Sequence, residues 1–269
     1  MYKRIKYSLL FFVIFSTNTS PSYYSKQGTD LNNCKEVIIS AHPNYAPFHW
    51  VENGNLIGAS IEVSGQILDE MGVPWRAVYV GPWKRVLQQA YMGNVDLIPA
   101  LKKTTERSQF LHFTQAEFYS NPVAVFKKNN EHSQPINSLG ALDGLVGSIN
   151  TGDSHGEQID AFLSVQSIVQ VKGLAENFKM LSLGRTDYFV IGKQTARSYL
   201  ERSGQVNDFV SVFEVTNSVV HHAFSQRSDC LFLLEEFDKR LRDKVNLGEV
   251  NNAIERYKIK WLDSKLRNE

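Results

Sequence analysis

Gly93-Asn94-Val95-Asp96-Leu97-Ile98-Pro99-Ala100 and Leu183-Gly184-Arg185-Thr186-Asp187-Tyr188-Phe189-Val190-Ile191 carry one signal twice, once in each half of the chain. Each follows apolar residues at helical spacing: Val86, Leu87, Ala90 and Tyr91 before the first, Leu174, Phe178 and Leu181 before the second. The glycine ends the helix, and the aspartate three positions later introduces a short apolar run of buried-strand length. Outward from the first copy, Glu36–Ala41 reads as a strand ending in a loop at His42-Pro43-Asn44. Ile61, Ile67, Leu68 and Met71 then predict a helix closed by Gly72, Ala77–Val80 a strand, and Pro82 the start of the helix that Gly93 ends. The pattern restarts after a strand at Val123–Phe126 and the polar run to Glu131. Leu145–Ile149 predicts a strand, and Ser154 with Glu157 a capping box ahead of Ile159, Phe162 and Leu163. Alternating strands and helices imply α/β layers with largely parallel sheets, in two similar lobes. A strand at Val219–Phe224 leads to two amphipathic helices, one through Leu231, Leu234, Phe237, Leu241 and Val245, the other through Ile254, Tyr257 and Trp261.

At 269 residues the chain is long enough for one large domain or two compact ones. Its 42% hydrophobic content, 21% charged content and formal charge of +1 predict a folded globular protein with no basic stripe, so a nucleic-acid partner is not expected. Lys3, Arg4 and Lys6 precede the apolar run Ser8–Phe15, which is too short to span a bilayer. Residues 1–22 therefore read as a secretory signal peptide of undefined cleavage site, followed by a Ser-, Thr- and Asn-rich terminus up to Asn33, and the expected location is periplasmic. Losing those three cations takes the formal charge from +1 to −2. Leu31-Asn32-Asn33-Cys34 has lipoprotein-box spacing, but asparagine stands where small residues are needed and the apolar run is far away, so lipidation is not expected. In an oxidising compartment Cys34 and Cys230 form either a disulfide, whose long loop could contribute up to about 5 kcal/mol, or two buried thiols. The histidines show no helical pair at metal spacing, and neither a metal nor a cofactor is expected.

Asn44-Tyr45-Ala46-Pro47-Phe48, Gly58-Ala59-Ser60-Ile61-Glu62-Val63, Gly93–Ala100, Thr104-Thr105-Glu106-Arg107 with Phe113-Thr114, Asn150-Thr151-Gly152-Asp153-Ser154 and Leu183–Asp187 occur in this order. Together they resemble the amino-acid-type family 3 of periplasmic solute-binding proteins of ABC importers. The resemblance covers about Glu36 to Trp261 and implies the type II periplasmic-binding-protein fold, with two Rossmann-like lobes joined by a two-strand hinge. Residues 34–118 plus 218–269 would form lobe 1 and 122–213 lobe 2, with hinge segments 119–121 and 214–217. It further implies a monomer that captures a carboxylate-bearing solute and delivers it to an ABC permease.

The resemblance assigns Arg107 to the ligand carboxylate, a task suited to a planar fork of donors that stays charged in a partly dry cleft. Tyr45 and Trp83 fall at the family's aromatic walls, which suit a small-molecule site. Ala100 and Lys102 fall in the first-lobe ligand loop. Asn150, Thr151, Gly152, Asp153 and Ser154 form the second lobe's anion-receptive turn, at the start of a helix. Trp50 and Trp75 read as packing residues. Two positions depart from the family. Lys102 replaces a small hydroxyl side chain, and Gly192 stands where an acid usually meets the ligand's ammonium group, which shifts the expected ligand toward negative charge unless Asp153 substitutes. Asp96 and Asp187 match structural positions.

Three other readings compete. Gly152-Asp153-Ser154-His155-Gly156 is literally a nucleophile-elbow motif, and Asp208 with His221 or His222 supplies the order a serine hydrolase needs. A cleft dehydratase would need a carboxylate with a raised pKa, for which the sequence offers no cause. A ligand sensor for a membrane receptor would share the binding chemistry. The reading adopted is a binding protein that is not an enzyme.

Overall fold

The computed structural model describes residues 33–129, 136–215 and 217–266. The expected signal peptide, residues 1–22, and Leu31 and Asn32 of the lipoprotein-like box lie outside the described residues. The chain begins with β1 (Val37–Ile39), a small meander of β2 (Asn44–Tyr45), β3 (His49–Glu52) and β4 (Asn55–Ile57), then α1 (Ala59–Glu70) and β5 (Trp75–Ala77). It continues through α2 (Trp83–Met92), β6 (Leu97–Leu101), α3 (Thr105–Ser108), β7 (Leu111–Phe113) and β8 (Tyr119–Ser120). Then follow β9 (Val123–Lys128), β10 (Val146–Asn150), α4 (Glu157–Leu163), β11 (Ser167–Val171), α5 (Leu174–Ser182), β12 (Tyr188–Gly192), α6 (Lys193–Ser203) and β13 (Phe209–Val215). β14 (Val219–Ser225), α7 (Leu234–Asn246) and α8 (Glu249–Leu266) complete it.

Two sheets define two lobes. The first has the order β5-β1-β6-β14-β7, with β8 also paired to β14; the second has the order β11-β10-β12-β9-β13. The early strands of each are parallel, β1 with β5 and β6 and β10 with β11 and β12. The sheets are less parallel than the sequence pattern suggests, because β9 and β14, each entered directly after the chain crosses between sheets, run against their neighbours.

Both copies of the opening signal do the same work. Gly93 and Gly184 take left-handed φ values of 83° and 66° just past α2 and α5, where a β-carbon would be strained. The Asp96 carboxylate then accepts the N–H of Ile38 at 2.7 Å, and Asp187 that of Val146 at 2.8 Å. Each aspartate thus ties the strand it introduces to the neighbouring parallel strand.

Apolar runs replace alternation because both faces of each sheet are covered. Val37, Ile39, Leu97 and Phe224 pack with α1, α7 and α8, whereas Ile38, Ile98 and Ala223 pack on the opposite side with Val86 and Ala90 of α2. In the second lobe Ala124, Phe126, Phe189 and Ile191 meet α5 and α6, while Val123, Val125 and Val190 meet Ile159 and Leu163 of α4.

Cys34 and Cys230 are disulfide-bonded, with Cα atoms 4.9 Å apart across 196 positions of sequence. Trp50 packs edge-on against Tyr257 and Trp261, and the Trp75 indole donates to Asp69. α8 also reaches the second lobe, where Trp261 Nε1 donates to the Ser198 carbonyl at 3.0 Å and Arg202 lies 3.8 Å above the Trp261 ring. Sequence reading anticipates most elements but shifts some. β5 begins at Trp75 because it must align with Val37 of β1, and α4 begins at Glu157 because the Ser154 hydroxyl is bonded to Asp160 instead of capping. The β2–β4 meander, β11, α6 and β13 are not anticipated.

Candidate functional site

The end of β6 builds the first wall. Pro99 and Ala100 together oppose one residue of β14, between the pairs His221–Leu101 and Ala223–Ile98. This bulge explains a proline in a central strand and the left-handed φ of 49° at buried Ala100. Beyond it Thr104 caps α3, its hydroxyl accepting the Arg107 N–H at 3.1 Å, which turns Arg107 back into the protein.

Arg107 is 6% exposed. One guanidinium nitrogen donates to the Lys102 carbonyl at 2.9 Å, and the group stands 5.4 Å from the centre of the Trp83 ring. Burial pushes its pKa down, and the nearby Asp153 and Asp160 carboxylates push it back up. No carboxylate among the described residues forms an ion pair with it.

Lys102 is also buried. Its ammonium donates to the Asn121 carbonyl at 2.8 Å and to the Ser218 hydroxyl, one on each segment where the chain passes between sheets. Burial pushes its pKa down to about 7. Asn121 Nδ2 donates in turn to the Tyr45 hydroxyl at 2.8 Å, and its Oδ1 accepts the Gln194 N–H. A β-carbon on Gly192 would lie 2.4 Å from Asn121 Nδ2. The position where an acid is expected is therefore filled by a neutral amide. Burial raises the Tyr45 phenol pKa, so the ring enters the site neutral.

The second lobe contributes the turn after β10. Asn150 Nδ2 donates to Asp153 at 2.9 Å, and the Thr151 N–H and hydroxyl both go to the Val171 carbonyl. Those two residues shape the turn without lining the cavity, whereas Asp153 and Ser154 do line it. Trp83 Nε1 bridges the lobes by donating to the Gly152 carbonyl at 3.1 Å. Thr105 donates its N–H to Glu157 at 2.9 Å, and His42 Nε2 stands 3.6 Å from Asp153.

His42, His49 and His155 join the expected residues around a narrow cavity between the lobes, together with Pro99, Val123, Ile191 and Gly192. At Arg107, Asp153 and Ser154 it meets an outer groove of about 980 Å³. The Asn44 N–H donates to His42 Nδ1, which puts the proton of the neutral ring on Nε2. His155 is 5% exposed and its Nε2 has no partner among the described residues. Burial lowers the pKa of all three rings. Sequence reading misses these histidines because the spacing of His42, His49 and His155 follows no metal or catalytic pattern, and only folding brings them together.

The hydrolase geometry does not form. The Ser154 hydroxyl donates to Asp160 at 2.5 Å, whereas His221 and His222 belong to β14 of the other lobe, where Phe118 and Phe237 enclose His222. Asp96, whose carboxyl pKa burial does raise, lies inside the first lobe bonded to Ile38 and Ser228, so it offers no dehydratase acid. No group of His, Cys, Asp and Glu side chains among the described residues could hold a metal.

Two α/β lobes closing over a buried guanidinium and aromatic walls define a cleft-type solute-binding protein. The chain belongs to the bacterial extracellular solute-binding proteins, family 3, which it matches over residues 37–260. It is 22% identical over 251 residues to a probable histidine-binding protein of Campylobacter jejuni, covering 92% of this chain and 94% of that one. It is also 22% identical over 236 residues to an arginine-binding extracellular protein of Bacillus subtilis, covering 84% and 86%. Among solved structures, an amino acid ABC transporter substrate-binding protein from Streptococcus pneumoniae bound to L-arginine superposes with a TM-score of 0.70 at 20% identity, covering 85% of this chain and 96% of the other. No helix among the described residues is long and apolar enough to cross a membrane.

Proposed function

We propose that this protein is exported to the periplasm, holds a small carboxylate-bearing solute between its lobes and presents it, as a monomer, to an ABC permease. The observation that carries this is Arg107: a buried guanidinium at an interlobe cavity, with one backbone acceptor and no ion pair among the described residues. Charge-assisted hydrogen bonds contribute about 1.5–3 kcal/mol each, and a buried guanidinium gains the most from an anion. Trp83 and Tyr45 form the walls, and the 150–154 turn of lobe 2 completes the grip. Lobe 1 comprises 34–118 with 218–269, lobe 2 comprises 122–213, and motion takes place at 119–121 and 214–217. Closure follows from differential affinity, since a solute that contacts Asp153, Ser154 and His155 only when the lobes are together favours the closed form.

The reading is of binding and not turnover, because the hydroxyl of Ser154, the candidate nucleophile of the elbow-like motif, donates to the Asp160 carboxylate and not to a histidine. The test is thermal unfolding against a panel of amino acids and organic acids. The wild-type protein should rise in melting temperature with a subset of carboxylates, and Arg107→Ala should lose that rise while keeping its unliganded melting temperature within a few degrees. Equal ligand stabilisation of the variant would remove Arg107 from the site.

A further inference from the structure

Two buried cations, Arg107 and Lys102, line one cavity wall, and among the described residues Asp153 is the only carboxylate that lines the cavity with them. Asp153 is already engaged by Asn150 Nδ2 and faces His42 Nε2. The other nearby acids, Glu106, Glu157 and Asp160, lie in the outer groove and not in the cavity; Glu157 accepts from Thr105, and Asp160 from Ser154 and the His155 N–H. Lys102 has three N–H donors and, among the described residues, two protein acceptors, both uncharged. His155 Nε2, buried on the facing lobe, has no partner among the described residues.

We infer that the cleft selects small carboxylic acids that lack an α-ammonium group and carry an oxygen acceptor beside the carboxylate, such as 2-oxo acids. This rests on the proposed binding function and deepens it. The ligand's carboxylate takes the Arg107 fork, and its second oxygen takes the remaining Lys102 donor and His155. With Lys102 protonated, the two cations and Asp153 leave one positive charge inside the cavity. A monoanion neutralises that charge. A zwitterionic amino acid does not, and its ammonium would enter beside two cations, with Asp153, already bonded to Asn150, the carboxylate lining the cavity.

The groups facing Lys102 give the pH dependence. Tyr45, His42 and His49 of lobe 1 and His155 of lobe 2 are held neutral by burial, Asn121 and Ser218 are uncharged, and Arg107 and Asp153 are the charged pair. Burial leaves the unliganded Lys102 half-protonated near neutrality, so an anion arriving beside it draws in a proton. Affinity is then complete below about pH 7 and falls as the pH rises above it.

The experiment is titration calorimetry of the full chain with pyruvate, 2-oxobutyrate, 2-oxoisovalerate and 2-oxoglutarate. Each is paired with the L-amino acid of the same carbon skeleton, and titrations are run in two buffers of different ionisation enthalpy at pH 7 and pH 9. At least one 2-oxo acid should bind tenfold or more tightly than its amino acid, take up a fraction of a proton at pH 7, and weaken at least tenfold by pH 9. Lys102→Met should abolish both the proton uptake and the pH dependence. Arg107-dependent binding of the amino acids in preference to the 2-oxo acids would overturn this inference and leave the proposed function standing. No binding by any member of either set would overturn this inference alone, and binding of these acids unaffected by Arg107→Ala would overturn both.

Discussion

Replacing Lys102 with methionine keeps an unbranched side chain one atom shorter and removes a charge that folding takes out of water. The ammonium titrates near 7 in the folded protein and near its ordinary value of 10.5 when unfolded. Between those values the unfolded chain binds more protons, so this group makes stability rise with pH from about 7 to about 10.5. From the linkage relation, burying it costs about 5 kcal/mol at pH 6, where the folded protein must keep the proton, and about 2 kcal/mol at pH 9, where the folded protein has already released it. Methionine also orphans the Asn121 carbonyl and the Ser218 hydroxyl, at about 1–3 kcal/mol for each that finds no water. These losses do not depend on pH. The advantage of Lys102→Met over wild type should therefore shrink by about 3 kcal/mol between pH 6 and pH 9. Urea unfolding of both proteins at the two pH values measures it, and every other titrating group cancels in the comparison. A difference between the proteins that is the same at both pH values, within about 1 kcal/mol, would show that Lys102 is not desolvated as the structure has it.

Replacing Cys34 and Cys230 by serine opens a loop spanning 196 positions, with an expected loss of up to about 5 kcal/mol in the chain-entropy account, read as a lower urea midpoint. A wild-type midpoint insensitive to a thiol reductant under unfolding conditions would argue against that bond. Gly192→Asp, the direct way to restore an acid, should cost about 1–3 kcal/mol, because its β-carbon enters the space of an Asn121 side chain bonded to Tyr45 and Gln194. Asn121→Ala in the same chain should recover part of that loss in thermal unfolding. No recovery would mean that Asn121 is not the obstacle.

The sequence by itself determined the class of fold and pointed to a candidate anchor for the site. Paired Gly-x-x-Asp strand starts, apolar runs and helix-ending glycines are local signals, because backbone conformation and strand burial depend on neighbours in sequence. Arg107 is singled out by the resemblance at Thr104 and Arg107, and the structure shows Thr104 capping the turn that carries it. Tertiary structure alone decided the charge of the cleft. Which acceptors Lys102 reaches, that Asn121 fills the space beside Gly192, that Asn150 and Thr151 serve the turn instead of the cavity, and that His42, His49 and His155 meet are all contacts between segments far apart in the chain. Desolvation is a property of that assembled surrounding, so no reading of spacing could have supplied the lysine's low pKa or the unpartnered nitrogen of His155.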